Sequence, residues 1–225
     1  RLSLVGSEMC IRDRHKDVQT IAGDLNAYTR EPYLDGTVLR WREAPNESLD
    51  KDVLRAAKDP FQVDGGLKLL SGNLGRAVIK TSAVKREHRV VEAPAMVFET
   101  QDQLEAAFKA GAMNRDVVAV IRFQGPRANG MPELHRLTPS LSVLQSKGFK
   151  VALVTDGRMS GASGKVPAAI HLSPEALQGG LIAKIQDGDV IRLDGEKGVL
   201  ELLVSDTELE KRSFRKPDLS ANEFG

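Results

Sequence analysis

Val117-Val118-Ala119-Val120-Ile121 and Val151-Ala152-Leu153-Val154 are short, unbroken apolar runs, and their reading decides the fold. A strand with one wet face alternates apolar and polar residues. A run with no polar member reads as a strand covered on both faces, the habit of parallel sheets flanked by helices. The surrounding sequence supplies those helices. Thr100 and Gln103 have the spacing of a capping box, Leu104, Ala107 and Phe108 share one helical face, and Gly111 supplies the stop. Thr138-Pro139 reads as the cap of a second helix, with Leu141 and Leu144 inward and Gly148 at its end. Ser173-Pro174-Glu175 opens a third. Farther on, Leu181–Ile185, Val190–Leu193 and Val199–Val204 are β-runs punctuated by Asp187-Gly188 and Asp194-Gly195, the pattern of hairpins or a meander. Strands first alternate with helices and then follow one another. The expected architecture is α/β, a mixed β-barrel or sandwich flanked by helices.

Upstream of Val63 the texture differs. Residues 15–62 read as a helix end, with Val18, Ile21 and Ala22 on one face, followed by an irregular polar run. That run holds Pro32, Gly36, Pro45 and Pro60, and Trp41 is its one large anchor. Such a stretch suits a linker and the end of a preceding domain. Residues 1–14 fit nothing that follows and resemble a translated sequencing adaptor. The expected organisation is therefore a non-native leader at 1–14, a domain end and linker at 15–62, and an α/β domain at 63–225.

The 225 residues carry 32 Lys+Arg against 31 Asp+Glu, a formal charge of +1. No global field favours nucleic acid or an acidic membrane. No apolar run approaches the roughly 20 residues that span a bilayer, and the start lacks the order of a signal peptide. Cys10 is the single cysteine, which excludes an internal disulfide and any cysteine cluster for zinc or iron–sulfur ligation. A cytoplasmic protein without nucleic-acid or membrane partners is expected.

Two loops follow directly on the buried strands, where open α/β architectures place ligands. In Phe123 to His135, two glycines and two prolines fix the path, and Arg127, Asn129, Glu133 and His135 project from it. The same composition suits a solvated surface loop. In Thr155 to Lys165, small residues let the backbone approach a ligand, and consecutive N–H groups can form an anion-binding nest. It is no phosphate-binding loop of the nucleotide-hydrolase type. Met159 stands where the first glycine belongs, and Val166 where a magnesium-binding hydroxyl belongs. A glycine-rich strand connection is the plainer alternative. His15, His88 and the basic run from Lys80 to Arg89 read as solvated, and His171 as the cap of the next helix.

Taken together, Thr155-Asp156-Gly157-Arg158-Met159-Ser160-Gly161 and Gly130-Met131-Pro132-Glu133 resemble the two markers of the dihydroxy-acid/6-phosphogluconate dehydratase family. Ser71-Gly72-Asn73-Leu74-Gly75 and Val204 to Arg212 match as well, so the likeness runs from about His15 to Gly225. Gln124 to His135 and Ser160 to His171 look like the 6-phosphogluconate branch. The resemblance implies a swivelling-type C-terminal β-barrel and loss of water from a phosphorylated sugar acid, the Entner–Doudoroff step that yields 2-keto-3-deoxy-6-phosphogluconate. Another sugar-acid or branched-chain dihydroxy-acid dehydratase, or a non-catalytic β-barrel binding module, are the competing readings.

By resemblance, Ser160 is the base, acting as an alkoxide, and Glu133 ligates Mg2+. Also by resemblance, an iron–sulfur cluster of the 4Fe-4S kind belongs to an N-terminal domain whose cysteines this chain lacks. The chain alone is then expected to be inactive, and the full-length enzyme a homodimer. Arg127, Asn129, His135, Asp156, Arg158, Ser163 and Lys165 make up the expected substrate-binding set. Among these, Lys165 and Ser163, with the Gly161–Gly164 backbone, read from local chemistry as a cradle for the substrate phosphate.

Overall fold

The computed structural model describes residues 17–45, 47–56, 58–61, 65–159 and 165–217. Cys10, His15, Ser160, Ser163 and the Gly161–Gly164 backbone fall outside them. The chain divides into two compact units, 1–63 and 64–225.

In the first unit the residues read as a helix end form a turn instead. Thr20 and Gly23 exchange backbone hydrogen bonds, and Ile21 is fully exposed. A helical face with no core to cover gains nothing from burial, so the weak spacing signal has nothing to enforce it. The polar run that follows is also more regular than expected. Strands β1 (Arg30–Asp35) and β2 (Val38–Glu43) pair antiparallel around Gly36, whose φ of 63° suits the tight turn. Pro32 sits opposite Trp41, and Arg42 reaches Glu31 at 2.7 Å.

The second unit is a closed eight-stranded barrel. Its strands are β3 (Leu67–Gly72), β4 (Gly75–Lys80), β5 (Val90–Phe98), β6 (Val117–Ile121), β7 (Val151–Thr155), β8 (Ala168–Ser173), β9 (Val190–Asp194) and β10 (Val199–Leu202), in the order β10-β3-β4-β8-β7-β6-β5-β9. β5, β6, β7 and β8 run parallel to one another, β10 meets β3 in parallel, and the remaining pairings are antiparallel. The first and last strands of the barrel therefore close it, at a seam where Val199 faces Ser71. This is the expected mixed α/β barrel.

The unbroken apolar runs are explained by two cores. Val118 and Val120 of β6, with Ala152 and Val154 of β7, point into the barrel among Leu70, Ile79, Leu193 and Leu200. The alternate residues Val117, Ala119, Ile121, Val151 and Leu153 point outward under two helices. Helix α1 (Gln101–Lys109) begins with the expected capping box and contributes Leu104. A short α2 (Pro126–Asn129) follows β6, and α3 (Leu137–Ser146) contributes Leu137, Leu141 and Leu144 to the same outer core. A last helix, α4 (Asp206–Lys211), buries Leu209.

Several local expectations give way to packing. α3 starts at Leu137, ahead of Thr138-Pro139, with no side-chain cap. Burial of Leu137 anchors the first turn, and Pro139 is tolerated there because that turn's N–H groups lack helical partners anyway. Leu181–Ile185 is no strand: Leu181–Lys184 is a 3₁₀ turn. Its carbonyls serve arginines, with Ala183 and Ile185 accepting from Arg122 and Lys184 from Arg212. After Pro174 there is only a 3₁₀ turn, Ala176–Gln178, closed by Gly179 at φ 78°. His171 lies within β8 at φ 56°, where the β4–β8 register shifts. Arg89 is no solvated member of a basic face, since it binds the Val84 and Thr81 carbonyls and Glu196.

Candidate active site

Because β5, β6, β7 and β8 are parallel, their carboxyl ends open at one mouth of the barrel, and the residues that follow them meet there. Two stretches dominate, Arg122 to Glu133 after β6 and Asp156 to Met159 after β7. They are the two loops singled out in the sequence, and adjacency of β6 and β7 brings them together.

Their joint is built from a strand end that grips the facing loop twice. Asp156 is 1% exposed, and its carboxylate accepts from the N–H groups of Phe123 (3.2 Å), Gln124 (2.8 Å) and Ala176 (2.9 Å). Burial pushes this carboxyl up from the ordinary carboxylate range, while the backbone hydrogen bonds pull the other way. Two residues on, Arg158 pairs with Glu133 at 3.0 Å, donates Nε to the Met131 carbonyl at 2.7 Å, and accepts the Leu134 N–H at its own carbonyl. Glu133 and Arg158 also form an isolated parallel bridge. Between these grips the loop ties itself with Asn129 and Met131 N–H groups on the Gly125 carbonyl.

Close packing holds the two loops in register. A Cβ on Gly157 would lie 2.7 Å from the Gln124 Cβ and 3.0 Å from a Leu134 methyl, so only glycine fits. Phe123 and Met131 take φ of 61° and 55°, a left-handed conformation that side chains rarely adopt. Glu175 completes the arrangement. It is 4% exposed, its carboxylate accepts the Arg127 N–H, and a Cβ on Gly125 would collide with it.

The expected site residues that are described thus fall into four groups. Glu133 and Arg158 are brought together, half-exposed, at the mouth. Arg127, Asn129 and His135 are exposed on the loop beside them, with Asn129 held by Gln124 at 3.1 Å. Asp156 lies beneath, turned to the backbone. Lys165 stands apart: its carbonyl accepts from Gln145 in the last turn of α3, eight residues (145 − 137) and about 12 Å along the helix from Leu137. Gln124 and Glu175 were not read from the sequence, because a buried polar side chain bonded to backbone leaves no spacing signature.

The implied cofactors can be tested against these residues. Glu133 offers a single carboxylate, already paired with Arg158, and among the described residues no three His, Cys, Asp or Glu side chains group to hold a metal. The thiolates that hold an iron–sulfur cluster are likewise missing from the described residues. The residues at hand do not fit a complete magnesium or cluster site.

Comparison with known proteins gives the geometry its context. The family model for the dihydroxy-acid/6-phosphogluconate dehydratase C-terminal region matches residues 52–223. The chain is 61% identical over 209 residues to the phosphogluconate dehydratase of Pseudomonas aeruginosa, covering 92% of this chain and 34% of that protein. For the phosphogluconate dehydratase of Escherichia coli K12 the identity is 58% over 212 residues, covering 94% and 35%. For that of Zymomonas mobilis it is 56% over 209 residues, covering 89% and 34%. The chain therefore spans about a third of the length of the curated relatives it matches. It belongs to the dihydroxy-acid/6-phosphogluconate dehydratase family, in the region that the family's C-terminal model describes.

Proposed function

We propose that this chain is the C-terminal part of a phosphogluconate dehydratase and supplies one half of its active site. The observation that carries this reading is the joint between Glu133 and Arg158 at the mouth of the barrel, built from the two family markers. The 61% identity to a phosphogluconate dehydratase supports the substrate. The substrate is a 2,3-dihydroxy acid bearing a 6-phosphate. The C2 proton is weakly acidic and hydroxide is a poor leaving group, so a base and an electrophile are both required. Ser160, next to Met159 and acting as an alkoxide, takes the C2 proton. The C2–H electron pair forms the C2–C3 double bond as the C3–O bond breaks. The departing hydroxide takes up that proton and leaves as water, and the enol becomes the 2-keto-3-deoxy acid. A serine hydroxyl needs a strong positive field to ionise near pH 7. Glu133 would supply one carboxylate oxygen toward Mg2+, a hard cation that suits carboxylates, on giving up its pairing with Arg158. An iron–sulfur cluster would supply the electrophile for the leaving hydroxyl, and it and the remaining magnesium ligands would be held by residues that this chain does not carry. The whole enzyme is a cytoplasmic homodimer on this reading. Among the described residues no helix is long and apolar enough to cross a membrane.

At the far end of the substrate, Lys165 with Ser163 and the Gly161–Gly164 backbone binds the phosphate. The test is a fused enzyme, with residues 17–225 placed behind the N-terminal two thirds of the Pseudomonas aeruginosa relative. It is expected to dehydrate 6-phosphogluconate, and the chain alone is not. Turnover by the purified chain alone, or none by the fusion, would overturn the reading. In the fusion, Lys165→Met should lower kcat/KM for 6-phosphogluconate by about 10- to 100-fold and leave unphosphorylated gluconate nearly untouched. An equal loss on both substrates would move the phosphate site elsewhere, with Arg127 and the basic face around Arg86 next in line.

A further inference from the structure

We propose that Asp156 is a positioning residue, whose buried carboxylate sets where the Glu133 loop stands, rather than a group that touches substrate; this rests on the functional reading above. The carboxylate is 1% exposed and holds three backbone N–H groups from two different segments, Phe123 and Gln124 after β6 and Ala176 after β8. A carboxylate so engaged has little acceptor capacity left for a ligand.

What it holds is the start of the loop whose end Arg158 holds. From Gln124 the constraint passes along the loop by short steps. The Gln124 side chain binds Asn129 at 3.1 Å and the Glu99 carbonyl at 2.7 Å, and the Gly125 carbonyl takes the Asn129 and Met131 N–H groups. The Met131 carbonyl receives Arg158, which pairs with Glu133. Glu175 adds a second buried carboxylate to the same loop through the Arg127 N–H. Two carboxylates and one arginine thus fix a loop that has left-handed conformations at Phe123 and Met131. Without the Asp156 grip, those two residues can relax toward ordinary backbone, and Glu133 moves with them.

The barrel contains its own control. Asp194 is 7% exposed and accepts the N–H groups of Glu196 and Lys197 through one oxygen. It is paired with Val90, the first residue of β5, and so lies at the opposite mouth. Asp156→Asn and Asp194→Asn both keep side-chain volume while removing acceptor capacity and charge. Both should lower the Tm of the chain by several degrees, on the order of 2–4 °C for each kcal/mol lost.

The experiment compares them in two ways. Hydrogen exchange on the 225-residue chain should quicken across residues 123–134 in Asp156→Asn, and only around residues 194–198 in Asp194→Asn. In the fused enzyme, Asp156→Asn should lower kcat and kcat/KM together by about 10- to 100-fold, since a catalytic group misplaced by about 1 Å costs on the order of 10²-fold. Asp194→Asn should leave both near wild type. Unchanged exchange at 123–134, or a kcat loss no larger than that of Asp194→Asn, would overturn the positioning role. A rise in KM with kcat unchanged would also overturn it and return Asp156 to substrate binding. If the unsubstituted fusion has no dehydratase activity, the functional reading fails and the exchange pattern still decides the role of Asp156. Should Asp156→Asn fail to fold, Glu175→Met frees only the Arg127 N–H. Faster exchange around residues 125–131 is then expected, and unchanged exchange there overturns the proposal.

Discussion

Ser160→Ala in the fused enzyme is expected to lower kcat for 6-phosphogluconate by on the order of 10² to 10⁴. Removing the C2 proton needs a base, and alanine offers none. Water can take the role only poorly, because it is neither positioned nor activated. On the proposed reading any cluster absorbance of the fusion should stay as it was, since the cluster would be held by the N-terminal part. The substitution deletes a single hydroxyl from a loop of small residues, so the Tm should change little. A variant that retains more than about a tenth of the wild-type rate would remove Ser160 from the role of base.

The second large effect concerns stability. Leu134→Ala should cost about 2–5 kcal/mol, the range for emptying a buried leucine position. Leu134 is completely buried in the outer core with Leu137, Leu141 and Ile121, and its methyl packs against Gly157. Its neighbour in the chain is Glu133, so the cavity opens directly beneath the candidate site. Against a typical total of about 5–15 kcal/mol for a domain, that is a large share. Urea unfolding of the chain measures it, and a loss below about 1 kcal/mol would show that the two loops are not packed through this residue.

The parts of this molecule that were legible in its sequence are those where local pattern and burial agree. The runs at 117–121 and 151–154 are apolar throughout because one set of alternate residues fills the barrel and the other lies under α1 and α3. Thr100 and Gln103 form their capping box within one turn, so spacing alone reveals it. Two of the failures share a cause, since each was decided by distant residues. Leu181–Lys184 has the composition of a strand, yet Arg122 and Arg212 claim its carbonyls and hold it as a turn. Thr138-Pro139 has the form of a cap, yet Leu137 is drawn into the outer core and the helix begins there. The β1–β2 hairpin escaped notice because β2 is exposed along its whole length and β1 covers only Glu31 and Tyr33 in part, so burial leaves little pattern in the sequence. At the site, Glu133 and Arg158 stood out by motif, while the buried grips of Asp156 and Glu175 depend on N–H groups from segments distant in the chain.

The seam between β3 and β10 has a consequence for how such a barrel can be handled by evolution or by an engineer. Because β10 runs parallel to β3, with Val199 beside Ser71 near the end of β3, the chain enters the barrel at one mouth with Leu67 and leaves it toward the other with Leu202. A circular permutant of this barrel therefore needs a linker long enough to run from one mouth to the other, at about 3.3 Å for each extended residue. The mouth that carries Glu133 and Arg158 is formed by β5 to β8, strands that take no part in the seam. The chain thus leaves the barrel on the side where β5 to β8 end, the side that carries the candidate site, and enters it on the other. An extension at the exit therefore reaches the chemistry, and one at the entry does not.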